Sequence, residues 1–148
     1  MLKKTVTKNV YDCKAIDLLN VVADVKSYAD FLPFCSAVDV YDMSFSKAIE
    51  CFSARLLVDF KITAEYFSTK VVVNRKLKCI SITGNTKPFK SLLADWSFVE
   101  QDDFCKVTFN LEVSFSSFMK EKLVSLSFDK IALNIIEAFE NRTKEKCF

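Results

Sequence analysis

Apolar and polar residues alternate without a fault from Cys105 to Ser116. Cys105, Val107, Phe109, Leu111, Val113 and Phe115 fall on one side, and Lys106, Thr108, Asn110, Glu112, Ser114 and Ser116 on the other. A period of two places the two sets on opposite faces of a pleated strand, so the segment predicts a strand in a sheet with one buried face. From Phe118 to Cys147 the period changes. Val124, Phe128, Ile131, Ala132, Ile135, Ile136 and Phe139 recur at helical spacing and predict one long helix with a wide apolar stripe. Lys130, Glu137, Glu140, Lys144 and Lys146 fall mainly off it. Such a stripe must be covered, and an antiparallel sheet curled around the helix covers it. Most of the stripe reads as core; the sharper reading is that helix and sheet together wall a cavity.

The rest of the chain supplies the sheet. Lys3 to Val10 predicts a first strand, rich in strand formers. Asp12 predicts an N-cap for a helix over Ala15 to Val22. A second helix is expected over Val25 to Phe31, ended by Pro33, which disfavours helical geometry in the residue before it. Val38 and Val40 mark a strand over Ser36 to Met43, with Asp42 and Ser44 as its turn. Ala48, Phe52, Ala54, Leu56, Val58 and Phe60 share the next alternating face, with Glu50 as its odd polar member. Phe67, Thr69, Val71 and Val73 share the one after. Asn74 to Lys76 form a polar turn, Leu77 to Thr83 a short strand with Ile80 and Ile82 inward, and Gly84 to Lys87 a loop ending at Pro88. Leu92 to Glu100 then carries Ala94, Trp96 and Phe98 on one face. Strand, two helices, a meander and a final helix make one α+β domain over residues 1–148.

Composition narrows the chemistry. Of 148 residues 51% are hydrophobic and 15 are Phe, ample for a core, while a net charge of +2 gives no reason to expect a DNA-binding surface. No apolar run approaches the roughly 18 residues needed to cross a bilayer. The segment Met1 to Val10 carries lysines and no apolar stretch of the secretory kind, so a cytoplasmic setting with reduced thiols is expected. The six cysteines contain no CxxC pair and the chain has no histidine, so neither a zinc site nor a His-dependent nucleophile can be assembled. There is no Gly-rich phosphate loop either. No metal, required cofactor or catalytic residue is expected. With one Gly and two Pro, turns are expected to lean on Asn, Asp and Ser.

Three segments resemble one family. Ala23 to Cys35 (ADVKSYADFLPFC) is similar to its ADVxxYxxFLPWC signature; Pro88, Phe89, Leu92, Trp96 and Phe98 are similar to its GPFxxLxxxWxF segment; Ala138 to Arg142 (AFENR) is similar to its closing AFExR. The family is the coenzyme-Q-binding START-like group of the polyketide cyclase/dehydrase superfamily, which has a coenzyme-Q-binding branch and a ribosome association toxin branch. The resemblance implies a helix-grip fold, with a curved antiparallel sheet wrapped on a C-terminal helix. It implies non-enzymatic binding of a hydrophobic isoprenoid lipid, ubiquinone or a related polyprenyl lipid, in support of respiratory electron transport, and it allows peripheral contact with the inner membrane; the Phe-, Lys- and Asn-rich composition suits a bacterial source. The alternative it implies is a toxin-like protein that binds the large ribosomal subunit and blocks subunit joining, using Lys3, Lys4, Lys8, Lys87, Lys90, Lys120 and Lys122. Three positions depart from the pattern: Phe34 stands for Trp, Lys87 for the Gly before Pro-Phe, and Asp59 for a Gly before Phe60.

The resemblance also selects ligand-binding candidates. Phe31, Leu32, Pro33 and Phe34 form an apolar loop stiffened by its proline, read either as a plug on the core or as a cavity lip. Tyr28 offers a hydroxyl to a quinone head, or is an ordinary interface tyrosine. Trp96 and Phe98 are core or cavity floor, Pro88–Phe89 a loop over the opening, and Phe139 the facing wall. Glu50 needs a partner if it is buried.

Overall fold

The computed structural model describes residues 1–59 and 64–147. The order is β1 (Leu2–Tyr11), α1 (Ala15–Ala23), a 3₁₀ turn (Val25–Ser27), α2 (Tyr28–Phe31), β2 (Cys35–Ser46), β3 (Ile49–Asp59), β4 (Ala64–Asn74), β5 (Cys79–Gly84), β6 (Phe89–Glu100), β7 (Phe104–Phe115), α3 (Phe118–Ser125) and α4 (Phe128–Cys147). All seven strands lie in one antiparallel sheet, in the order β1-β7-β6-β5-β4-β3-β2. β2 to β7 follow one another across the sheet as a meander. β1 returns to pair along its whole length with β7, Leu2 opposite Val113 and Tyr11 opposite Phe104.

The alternation in β7 is obeyed residue by residue. Cys105, Val107, Phe109, Leu111, Val113 and Phe115 are all buried, with Trp96 opposite Phe109 and Phe98 opposite Val107 on β6. The inward residues of β3 and β4 obey it too, including Thr69, whose hydroxyl donates to the Ala54 carbonyl at 3.1 Å and so satisfies its burial. Phe60 lies outside the described residues. The core sits between the concave face of the sheet and α1 with α4, where Leu19, Val22, Ala132, Ile136 and Phe139 are buried.

Several local features differ from the sequence expectation. The long helix is two: α3 ends at Ser125 and α4 begins at Phe128, with the Ser127 amide donating to Val124 and its carbonyl accepting from Ile131. Val124 and Phe128 are four residues apart, so the stripe reads straight across the break. Asp12 does not cap α1. It adopts a left-handed backbone (φ 62°), and Lys14 takes the N-cap position, its amide donating to the Asp17 carboxylate at 3.2 Å. The second helix opens as a 3₁₀ turn and becomes α-helical only at Tyr28.

Asp42 and Ser44 do not turn the chain. Between Tyr41 and Ser44, β2 carries one residue more than β3, a bulge with Asp42 at φ 55°; the reversal comes at Lys47, also left-handed. Left-handed positions therefore fall on Phe34, Lys47 and Lys78 as well as on two aspartates. Leu77 is an exposed turn residue and β5 starts at Cys79. Glu50 has its partner: Arg75 donates to both its carboxylate oxygens at 3.2 and 3.3 Å and to Asn20 at 2.7 Å. The single glycine, Gly84, sits where an added Cβ would lie 2.8 Å from the Ser68 carbonyl oxygen, so β4 and β5 close up there only around a residue without a side chain.

Candidate functional site

Sheet and helices do not fill the space between them. A cavity of about 140 Å³ remains under the helical stripe. Its floor is built from inward positions of the central strands: Phe67 on β4, Ile82 on β5, Ala94 and Trp96 on β6, Phe109 and Leu111 on β7. Val124 of α3 and Phe128, Ile131, Ile135 and Phe139 of α4 roof it. Leu32, Pro33 and Phe34 close one side, and Phe89 with Phe115 another.

Three backbone and side-chain links tie these parts into one rim. The Asp59 amide donates to the Phe34 carbonyl at 2.7 Å, the Ser116 amide to the Pro88 carbonyl at 2.9 Å, and Lys120 of α3 reaches Glu65 at 3.2 Å. Phe34 holds φ 77°, an uncommon conformation for a bulky residue, and this turns its backbone at the rim.

Aromatic packing fixes the floor against the roof. Trp96 stacks on Phe109 at 4.2 Å between centroids and meets Phe139 edge-on at 5.0 Å; Phe139 in turn meets Tyr28 at 5.0 Å. Phe89 packs edge-on to Phe67 at 4.9 Å and tilted on Phe115 at 5.0 Å. Such pairs hold ring orientation as well as burying area.

The lining is almost pure hydrocarbon. The Tyr28 hydroxyl donates to the Val22 carbonyl, away from the cavity. Burial pushes that phenol far above its ordinary value, with Asp24 and then Cys35 adding to the effect, so it stays neutral. Burial likewise raises the Cys35 thiol to about 11, against a lowering bond with the Ala37 backbone, and a thiol held there is a poor nucleophile. Among the described residues no group of three acidic, Cys or His side chains could hold a metal ion, and no helix is long and apolar enough to cross a membrane.

Of the sequence candidates, Tyr28, Leu32, Pro33, Phe34, Phe89, Trp96 and Phe139 come together on the cavity wall. Phe31 does not. It packs on the outer side of Phe139 at 5.2 Å, beneath the Arg142 guanidinium. Phe98 does not either: it lies further along β6, buried and stacked on Trp96 at 6.2 Å. Pro88 and Phe89 are not a loop over an opening, because both are buried and Phe89 begins β6. The Tyr28 hydroxyl is already bonded and is not presented to a ligand head. The floor residues Ala94, Phe67 and Ile82 and the roof residues Ile131 and Ile135 are inward sheet and stripe positions in the sequence, and nothing marks them out individually as wall rather than core. No signal of pattern separates a cavity wall from a core.

Comparisons with known proteins agree with this architecture. The family model described as polyketide cyclase/dehydrase and lipid transport matches residues 13–140. A relative from Rickettsia prowazekii, named ribosome association toxin RatA, is 26% identical over 131 residues, spanning 86% of this chain and 87% of its own. The mitochondrial coenzyme Q-binding protein COQ10 of Drosophila melanogaster is 26% identical over 134 residues, 88% of this chain and 54% of its own. An 18 kDa protein of Caulobacter crescentus superposes with a TM-score of 0.81 at 26% identity, over 98% of this chain and 97% of that one. A START superfamily protein of Mycobacterium smegmatis gives 0.77 at 17% identity, over 97% of each chain, a likeness of fold. With the sheet gripping α4 and the matched segment covering most of its length, the chain has the START-like helix-grip fold and belongs to the polyketide cyclase/dehydrase and lipid transport family.

Proposed function

We propose that this protein binds a hydrophobic isoprenoid lipid, ubiquinone or a close relative, non-enzymatically in the cavity between sheet and α4, and presents it to respiratory enzymes at a membrane surface. The observation that carries the reading is the wall itself: an aromatic and aliphatic lining whose phenol is already bonded to the backbone and whose thiol stays protonated. A wall of that kind holds an apolar ring or chain and offers no acid, base or nucleophile to change it. The coenzyme Q-binding name of the Drosophila relative supports the choice of quinone.

Size refines the reading. At about 140 Å³ the cavity matches one benzene-sized ring, since an engineered cavity of roughly 150 Å³ in another protein takes benzene. It takes a quinone ring or a short piece of isoprenoid chain, and a long tail has to leave through the rim.

Trp96 is the only tryptophan and lies in the wall, so quenching of its emission by a short-chain quinone reads binding directly. Saturable quenching, with quinone recovered by mass spectrometry from an organic extract of gently purified protein, is the expected result. An empty extract together with linear, non-saturating quenching refutes the proposal.

A second reading has one observation in its favour, the RatA name of relatives matched over most of both chains. Its lysines are partly engaged: Lys4 with Asp129, Lys8 with Glu140 and Lys120 with Glu65. Co-sedimentation with large ribosomal subunits that persists at high salt is the result that puts this reading first.

A further inference from the structure

We infer that α3 is a membrane-docking element, seating its outer face in an anionic bilayer and so placing the cavity rim against the lipid. The inference extends the lipid reading of the cavity and takes its purpose from it.

The outer face of α3 is apolar where a surface helix is normally polar. Phe118 is 83% exposed, Met119 71%, Leu123 45% and, at the break, Leu126 85%. Met119, Leu123 and Leu126 stand at i, i+4 and i+7, a continuous stripe. Val124 is the one buried residue of the helix, and it is part of the cavity roof. One short helix thus presents bulky apolar groups to the outside and a wall residue to the inside. Met1 is also exposed near α3, its ammonium group pairing with Glu121 at 3.2 Å on the side of the helix that faces β7.

Charge selects the partner. Lys122 projects from α3 itself. Lys87 and Lys90 flank Pro88, whose carbonyl accepts from Ser116 at the start of the helix; the Glu121 carboxyl is held below its ordinary value first by the Phe115 amide, then by the N-terminus, with the charge of Lys90 adding to them. Among the described residues none of these three lysines makes an ion pair. The acidic neighbours are engaged elsewhere: Glu121 accepts from the Phe115 amide at 2.9 Å and from the N-terminus, and Asp129 pairs with Lys4. Exposed apolar side chains inside a basic fringe fit the headgroup and acyl boundary of an anionic membrane.

Continuity with the cavity gives the contact its use. α3 is joined to the rest by Val124, by Lys120–Glu65 at the rim, by Glu121 to the Phe115 amide and the N-terminus, and by the break before α4. A tail leaving under Val124 emerges beside the side chains that enter the bilayer, without crossing water.

The test uses the whole chain and vesicles free of quinone. Wild type is floated with phosphatidylcholine–phosphatidylglycerol vesicles and with phosphatidylcholine alone, beside a variant carrying Phe118→Ser, Met119→Ser, Leu123→Ser and Leu126→Ser. All four positions are exposed, so an unchanged melting temperature and unchanged Trp96 quenching by a short-chain quinone in vesicle-free buffer show that fold and cavity are intact. Expected are flotation of wild type, stronger with the anionic lipid, and a loss of roughly tenfold or more in the variant. Equal flotation of the two proteins, or no flotation of wild type, overturns the inference. So does loss of ribosome co-sedimentation in the variant when neither protein floats, which makes α3 a ribosomal contact instead. Flotation as expected, with no quenching in either protein, leaves the docking surface standing and refutes the cavity reading alone.

Discussion

Ala94 lies in the cavity floor on β6, between Ile82 of β5 and Leu111 of β7. It is the smallest side chain of that floor, so Ala94→Leu tests whether the void is ligand space. The change adds three carbons, about 80 Å³; at ~24 cal/mol per Å³ of cavity removed this is worth about 2 kcal/mol. Counting three buried carbons at ~0.8 kcal/mol each gives about 2.4 kcal/mol, in agreement. The void of about 140 Å³ accepts the added volume without displacing its neighbours. For a chain of this length the gain raises the melting temperature by about 4–8 °C. The same change removes more than half of the space a ring would occupy, so saturable quenching of Trp96 by a short-chain quinone disappears. Thermal unfolding followed by circular dichroism and the fluorescence titration together make the test. A more stable protein that no longer binds is the signature of a cavity kept open for a ligand at the expense of stability. Unchanged binding with a lowered melting temperature would refute the reasoning, since it would mean that the space at Ala94 is already filled.

Three further perturbations address the frame around the cavity. Gly84→Ala drives a Cβ to 2.8 Å from the Ser68 carbonyl; a loss of about 1–3 kcal/mol is expected, with faster amide exchange along β4 and β5. Lys47→Gly relieves a left-handed residue at the exposed β2–β3 turn (φ 55°) and is expected to raise the melting temperature by about 2–4 °C. Burial alone would raise the Glu140 carboxyl, but hydrogen bonds and charge from Lys8 and Lys144 outweigh it and hold the group below its ordinary 4.5. A group depressed in the folded state stabilises above its ordinary value and loses that contribution as pH falls through the folded one. Glu140→Gln therefore costs about 1 kcal/mol near neutrality, and the difference from wild type shrinks as acid denaturation is followed below pH 4.5.

The fold was legible because its two faces differ so sharply in β7 and in the C-terminal stripe. Along β7 every second residue from Cys105 is apolar and buried while the ones between are polar and more exposed, and nothing interrupts the ladder to β1. The break at Leu126–Ser127 was not legible, because Val124 and Phe128 keep helical spacing across it. The sequence does not separate the bulge at Asp42 from a turn, because the same residue type serves both, a left-handed backbone being needed in each. The apolar stripe allows a cavity between helix and sheet as well as a solid core, and only the resemblance of three segments points to which residues line it. Trp96 and Phe98 alternate identically on β6, and only position along the strand puts one in the wall and the other in solid core. A void is a shortage of volume summed over several elements, and no single segment records it.

The bulge in β2 has a bearing on how this chain behaves in a crowded solution. β2 is an edge strand twelve residues long, and it exposes Tyr41, Met43 and Phe45 beside its unpaired backbone groups. A straight strand of that make-up invites a second copy to add on, the first step of fibril growth. The extra residue between Tyr41 and Ser44, with Asp42 in its left-handed turn, throws the outer ladder out of step halfway along. An incoming strand finds matched partners on only one side of the fault. The acidic bulge thus guards the sheet against polymerisation, while the inner ladder to β3 runs in register from Ala37 to Tyr41 before it and from Ser44 to Ser46 after it.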